Sequence, residues 1–114
     1  MRYLRRLYVD EKTLPYVKAI TGSVRRGKLD KFAGVSLVLL SDMPGASLEI
    51  VHLASLKAEE RAGAARTCVG MALEREAAKN ITVRILNTVL KRQGDPDIRG
   101  YFQSLPESDF LVKG

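Results

Sequence analysis

Sulfur and imidazole are scarce in this sequence. A single cysteine, Cys68, allows no internal disulfide framework, and a single histidine, His52, leaves too few donors for a His/Cys metal centre. Long apolar runs are missing as well. None approaches the ~18 residues that cross a bilayer. The basic start, Met1 to Arg6, is not followed by the apolar stretch of about 7–15 residues that a secretion signal carries. These absences predict a cytoplasmic protein with no membrane partner. Phosphate-loop fingerprints are lacking too. The stretch from Gly22 to Gly27 holds two glycines and two arginines in neither Walker nor Rossmann spacing, so it reads as a helix end. Asp95, Asp97 and Glu107 do not have the spacing of a calcium loop. No cofactor and no metal is implied. Repeats, low-complexity tracts and linkers are also absent, so the 114 residues read as one domain. An apolar share of 46% with 28% charged residues is globular rather than disordered composition.

Catalytic machinery is equally thin. His52 and Cys68 each fall in a predicted strand. On neighbouring strands, with Glu49 or Asp42 orienting the imidazole, they would form an activated thiolate pair. The preferred reading is a buried structural cysteine and a partly exposed sheet histidine. Glu59, Glu60, Glu74 and Glu76 stand beside Arg61 and Arg75 and read as surface charge, not as an acid/base pair. The chain is therefore read as non-enzymatic.

What the sequence does have is a lopsided distribution of charge. Residues 1–31 carry nine basic and three acidic groups, which accounts for the whole net charge of +6. Residues 32–114 carry ten of each sign. Tyr3, Tyr8, Tyr16 and Phe32, four of the seven aromatics, lie in or beside the basic quarter. Cations that neutralise phosphate, interleaved with rings that stack on bases, suit nucleic acid. Arg2, Arg5, Arg6, Arg25, Arg26, Lys28 and Lys31 are the candidate contacts, with no sequence preference expected. No helix-turn-helix, RNP or zinc-finger signature accompanies them. The competing reading is a solvated basic face with half-buried tyrosines. The segment lacks the strong apolar face of a membrane-surface helix.

The elements follow from periodicity. Residues 3–9 read as a short strand, placed at an edge because Arg5 and Arg6 interrupt it. Thr13 is a plausible N-cap and Pro15 fits a first helical turn; Leu14, Val17, Ile20 and Val24 then recur at helical spacing until Gly27. Val35–Leu40 is a nearly continuous apolar strand, which suggests burial on both faces or a central position. The turn 41–46, with Pro44-Gly45, joins it to a returning strand, Leu48–Ala54. Over 57–93, one unbroken helix of 37 residues would be ~55 Å long, against a domain radius of gyration of ~13 Å. A break is preferred: a loop with a turn of helix over 57–66, a strand over Arg66–Ala72, and a helix from Leu73 or Glu74 to Arg92. Gly94 caps that helix and Pro96 stops it. Residues 95–114 read as a tail whose first half packs back on the domain and whose second half is an interaction segment or disordered, with 103–114 set outside the domain.

Leu48-Glu49-Ile50, Leu56-Lys57, Val69-Gly70-Met71-Ala72 and Asp97-Ile98-Arg99-Gly100-Tyr101 together resemble small uncharacterised proteins carried on conjugative transposons of Gram-positive gut bacteria. The resemblance spans residues 17–102. It implies an intracellular accessory protein of a mobile DNA element and favours Val69–Ala72 as a strand before a helix. No residue inherits a role from it.

The resulting expectation is an α+β domain over residues 1–102, ordered (β)αβββα. It has an antiparallel sheet of three or four strands and two helices packed on one face. Such a fold leaves Val38, Leu40, Val51 and Leu53 on an open sheet face. The alternative function is then a protein-interaction module that forms a homodimer or higher oligomer through that face.

Overall fold

The computed structural model describes residues 1–29 and 31–112 and shows an α+β domain with five strands and four helices. The predicted hairpin is present. Strand β2 (Ser36–Leu40) pairs antiparallel with β3 (Leu48–His52) in unbroken register from Ser36↔His52 to Leu40↔Leu48. Gly45 takes a positive φ of 81° in the turn between them. The guanidinium of Arg99 donates to the carbonyls of Ser41, Met43 and Ala46 at 2.5, 3.0 and 2.7 Å, so a distant side chain holds that turn closed.

Three more strands complete the sheet: β1 (Arg2–Val9), β4 (Thr67–Ala72) and β5 (Phe110–Val112). The strand order is β3-β2-β4-β1-β5. Strands β1 and β4 are parallel and every other neighbouring pair is antiparallel. The expected all-antiparallel sheet of three or four strands is thus corrected to a mixed sheet of five. Arg2 pairs with Thr67, sixty-five positions along the chain, and local patterning carries no information about the direction of so remote a partner. Strand β1 is interior only where β5 covers it, from Arg2 to Leu4. Beyond Leu4 its outer edge is open, which is how it tolerates Arg5 and Arg6.

Helix α1 (Val17–Arg26) lies on one face of the sheet and α3 (Arg75–Gln93) on the other. One core layer joins Ile20 and Val24 of α1 to Leu37, Leu39, Cys68 and Met71. The second joins Ala78, Ile81, Ile85 and Val89 of α3 to Val38, Val69 and Ala72. Helix α4 (Ile98–Gln103) adds Ile98, Tyr101 and Phe102 to this second layer. A short helix, α2 (Ala58–Ala62), precedes β4. The expectation of both helices on one face is therefore wrong, and with it the open dimerisation face. Val38 lies fully buried in the α3 layer and Leu53 fully buried in the α1 layer, while Leu40 and Val51 are half-buried. The physical reason is the run of apolar residues in β2 and β4, which puts a hydrophobic surface on both sides of the sheet.

Thr13 also differs from its expected role. A single 3₁₀ turn, Leu14–Tyr16, precedes α1, and Thr13 makes no side-chain cap to it. Its buried hydroxyl donates to Asp10 and accepts from the Leu73 amide at 3.0 Å, tying the entry of α1 to the end of β4. Both long helices end on left-handed glycines, Gly27 (φ 70°) and Gly94 (φ 79°), with basic residues in their last turns. Within 103–114, Phe110 is buried and pairs with Leu4.

Arg66 fastens the elements before β4. Its side chain, 13% exposed, meets Glu49 of β3, Glu60 of α2 at 2.9 Å and Asp42 of the hairpin turn at 3.5 Å. Removing the cation would leave Glu49 and Glu60, each about one-third exposed or less, without the counter-charge they share. We expect Arg66→Ala to lower the unfolding free energy by about 2 kcal/mol, less than for a fully buried pair because both carboxylates retain some water. The urea midpoint measures it, and an unchanged midpoint would refute it.

Candidate nucleic-acid interface

The chemistry of the site begins with an irregularity in β1. Tyr3 pairs with Cys68 and Tyr8 with Gly70, so the four residues Leu4–Leu7 stand opposite Val69 alone. A bulge breaks the strict alternation of side chains and turns successive residues toward one side. Arg5 and Arg6, adjacent in sequence, consequently line the same cleft.

That cleft has a volume of about 400 Å³ and lies between the bulged half of β1, the end of α3 and α4. Its inner lining is Leu4, Tyr101 and Phe102, all buried, with Leu105 beside them. Tyr8, half-buried, forms a side wall, and the Arg84 guanidinium stands 5.8 Å from its ring centroid. Arg5, Arg6 and Arg92 are exposed at the rim and Asp109 is half-buried beside them, so the lining holds three cations and one anion. Arg5 donates through Nε to the Ser108 carbonyl at 2.6 Å, which fixes its head and leaves both terminal nitrogens without a hydrogen bond among the described residues. Arg92 donates to the Tyr101 hydroxyl at 2.9 Å. Arg6 has no hydrogen bond or ion pair among the described residues.

Arg2 behaves differently. It pairs with Glu107 at 2.8 Å, donates to Thr67 and stacks 3.7 Å from the centroid of Phe110. These contacts hold β5 against β1, so Arg2 is committed to the fold. Arg25, Arg26, Lys28 and Lys31 lie around the end of α1 and are exposed. Arg26, Lys28 and Lys31 share a second cleft of about 380 Å³ with Phe32. This cleft belongs to the α1 side of the sheet, the first to the α3 side. The seven predicted contacts therefore divide into two groups on opposite faces and do not merge into one stripe.

No family model, curated protein or solved structure matches this chain. The reading of its chemistry rests on its own geometry. His52 is exposed at the end of β3, and Cys68 is fully buried in β4 with β2 between them, so the two are not on neighbouring strands. Burial also pushes the Cys68 thiol up to about 12, the reverse of an activated thiolate. Glu49 and Asp42 face Arg66 and orient no imidazole. Among the described residues no helix is long and apolar enough to cross a membrane.

Sequence reasoning missed Arg92, Tyr101 and Asp109 as cleft residues. Arg92 has a sufficient local explanation in the dipole of α3, and Tyr101 in the apolar content of the tail. The signal that was available is the apolar trio Ile98, Tyr101 and Phe102 shortly after a helix that ends in Arg92, and it becomes informative only once α4 is known to fold back along α3.

Proposed function

We propose that this protein acts by non-enzymatic binding and that its ligand is nucleic acid, held through phosphates without sequence preference. The observation that supports this is the state of the basic quarter. Of its seven candidate contacts only Arg2 is paired to a carboxylate among the described residues. Arg5, Arg6, Arg25, Arg26, Lys28 and Lys31 stay exposed with no carboxylate partner there. Cations kept free on a small domain attract a polyanion and release its counterions on contact. An intracellular role as an accessory of a mobile DNA element is consistent with such a ligand.

Fluorescence anisotropy with labelled single-stranded and duplex oligonucleotides tests the reading. Binding is expected at ~50 mM salt. If about three to five phosphates are neutralised, the logarithm of the binding constant should fall against the logarithm of salt with a slope of about −2 to −3.5 for a single strand. No affinity for either form at that salt would overturn the proposal.

A further inference from the structure

We infer that the cleft between the β1 bulge, α3 and α4 is a pocket for one nucleotide unit of a single strand, with the phosphate on the arginines and the base against Tyr8. The inference rests on the nucleic-acid reading above and assigns it a site. Three observations carry it. First, the bulge aims two consecutive arginines into one cavity, and Arg92 from α3 joins them, so three guanidinium groups that each suit bidentate contact with phosphate converge there. Their one opposing carboxylate, Asp109, leaves a surplus of two positive charges in the lining. Second, the interior is apolar and aromatic, with Tyr8 half-buried as a wall beside Leu4 and Phe102. A cavity lined only for phosphate would have no use for such a surface, whereas a base buries both of its faces readily. Third, the volume of about 400 Å³ is that of a small-ligand pocket, near the lower end of the roughly 300–1,000 Å³ that such pockets occupy. One nucleotide fits these dimensions. A duplex keeps its base faces stacked inside and presents only phosphates, so it can reach the rim but not the wall.

The second basic cleft, at the end of α1, is weaker by the same criteria. It offers one guanidinium, Arg26, beside two lysines, and one ring, Phe32, against three guanidinium groups and three rings in the first.

The shared chemistry of the proposed ligand is a phosphate ester joined to an aromatic base, and the test separates a polymer from a free nucleotide. Anisotropy of a labelled twelve-residue oligothymidylate is measured at ~50 mM salt for the full chain. Tyr8→Leu is expected to weaken it about tenfold, and Arg6→Ser with Arg92→Gln by at least as much. Lys12→Ser with Lys18→Ser, an equal loss of charge at exposed positions outside both basic clefts, is expected to change it less than threefold. Arg6 is exposed, with no partner among the described residues, so Arg6→Ser alone remains informative if Tyr8→Leu perturbs folding. In parallel, thymidine 5′-monophosphate, thymidine and inorganic phosphate are titrated against amide resonances. The monophosphate should shift Tyr8, Arg92 and Tyr101 at lower concentration than either fragment. If the oligonucleotide binds but the cleft variants match wild type, the pocket is overturned and the nucleic-acid function stands. If no oligonucleotide binds but the monophosphate shifts these residues, the pocket stands and the polymer reading falls. If neither binds, both are overturned.

Discussion

Gly70→Ala is expected to destabilise the domain by about 3 kcal/mol, the upper end of the range for overpacking a well-filled core. Thermal unfolding should then move down by roughly 10–20 °C. A Cβ at position 70 would lie 2.9 Å from the Tyr8 carbonyl oxygen and 2.9 Å from Cγ2 of Ile81. Ile81 can turn aside at modest cost. The Tyr8 oxygen is main chain in the pairing between β1 and β4 and cannot. Gly70 is therefore needed because the bulged segment of β1 comes down close onto β4 where it rejoins the register at Tyr8↔Gly70. Gly34→Ala is the control. No atom stands within 4 Å of its added carbon, and the substitution is expected to be neutral or to stabilise by up to ~0.5 kcal/mol through the unfolded chain. Equal melting temperatures for the two variants would refute the argument. The substitution should also weaken nucleic-acid binding beyond its effect on stability, since the same displacement moves Tyr8 out of the wall of the cleft.

Gly70 shows how far the sequence could be read and where reading stopped. The hairpin, the break before β4 and the helix from residue 75 onward were legible because each depends on neighbours in the chain: Pro44-Gly45 for the turn, the run of apolar residues in β2, the stripe from Ala78 to Val89 with Gly94 behind it. The apolar continuity of Val35–Leu40 pointed to burial on both faces or a central position, and the buried Leu37, Val38 and Leu39 agree with it. The first of these conflicts with helices on one face only, and the core layers decide it in favour of two. Two features were not legible. The parallel pairing of β1 with β4 joins segments far apart in sequence, and the three-residue strand β5 is too short to show a period. The candidate site inherits both gaps. Arg5 and Arg6 were visible as charge, but their shared direction comes from the bulge, and the bulge exists only in relation to β4. Arg2 looked identical to them in the sequence and proves to be occupied, because β5 brings Glu107 and Phe110 to it.

Alkaline solution is expected to destabilise this protein progressively above pH 9. Burial pushes the Cys68 thiol up from an ordinary value of 9.0 to about 12. Below pH 9 both folded and unfolded chains keep that proton and stability is unaffected by it. Between pH 9 and 12 only the unfolded chain releases it, so the folded state loses about 1.4 kcal/mol per pH unit, on the order of 4 kcal/mol across the window. Above 12 both states ionise and the loss levels off. Tyr3 adds to the same trend. Burial raises its phenol too, and its share of the loss begins as the pH passes its ordinary value of 10.0. Its hydroxyl is buried with no hydrogen-bond partner among the described residues, so it is also a burden at neutral pH. Tyr3→Phe should therefore stabilise the domain by about 1 kcal/mol at pH 7 and flatten the fall above pH 10. Cys68→Ala should cost stability at pH 7 through the small cavity it leaves, yet remove the fall between pH 9 and 10. Urea midpoints from pH 7 to 11 measure all three chains. A wild-type midpoint that stays level through pH 10.5, or a Cys68→Ala curve parallel to wild type, would mean that the thiol exchanges its proton freely in the folded state. Cys68 has no exposed surface and lies within the α1-side core layer, so a thiolate there would lose its hydration, which is what raises its value and sets the fall.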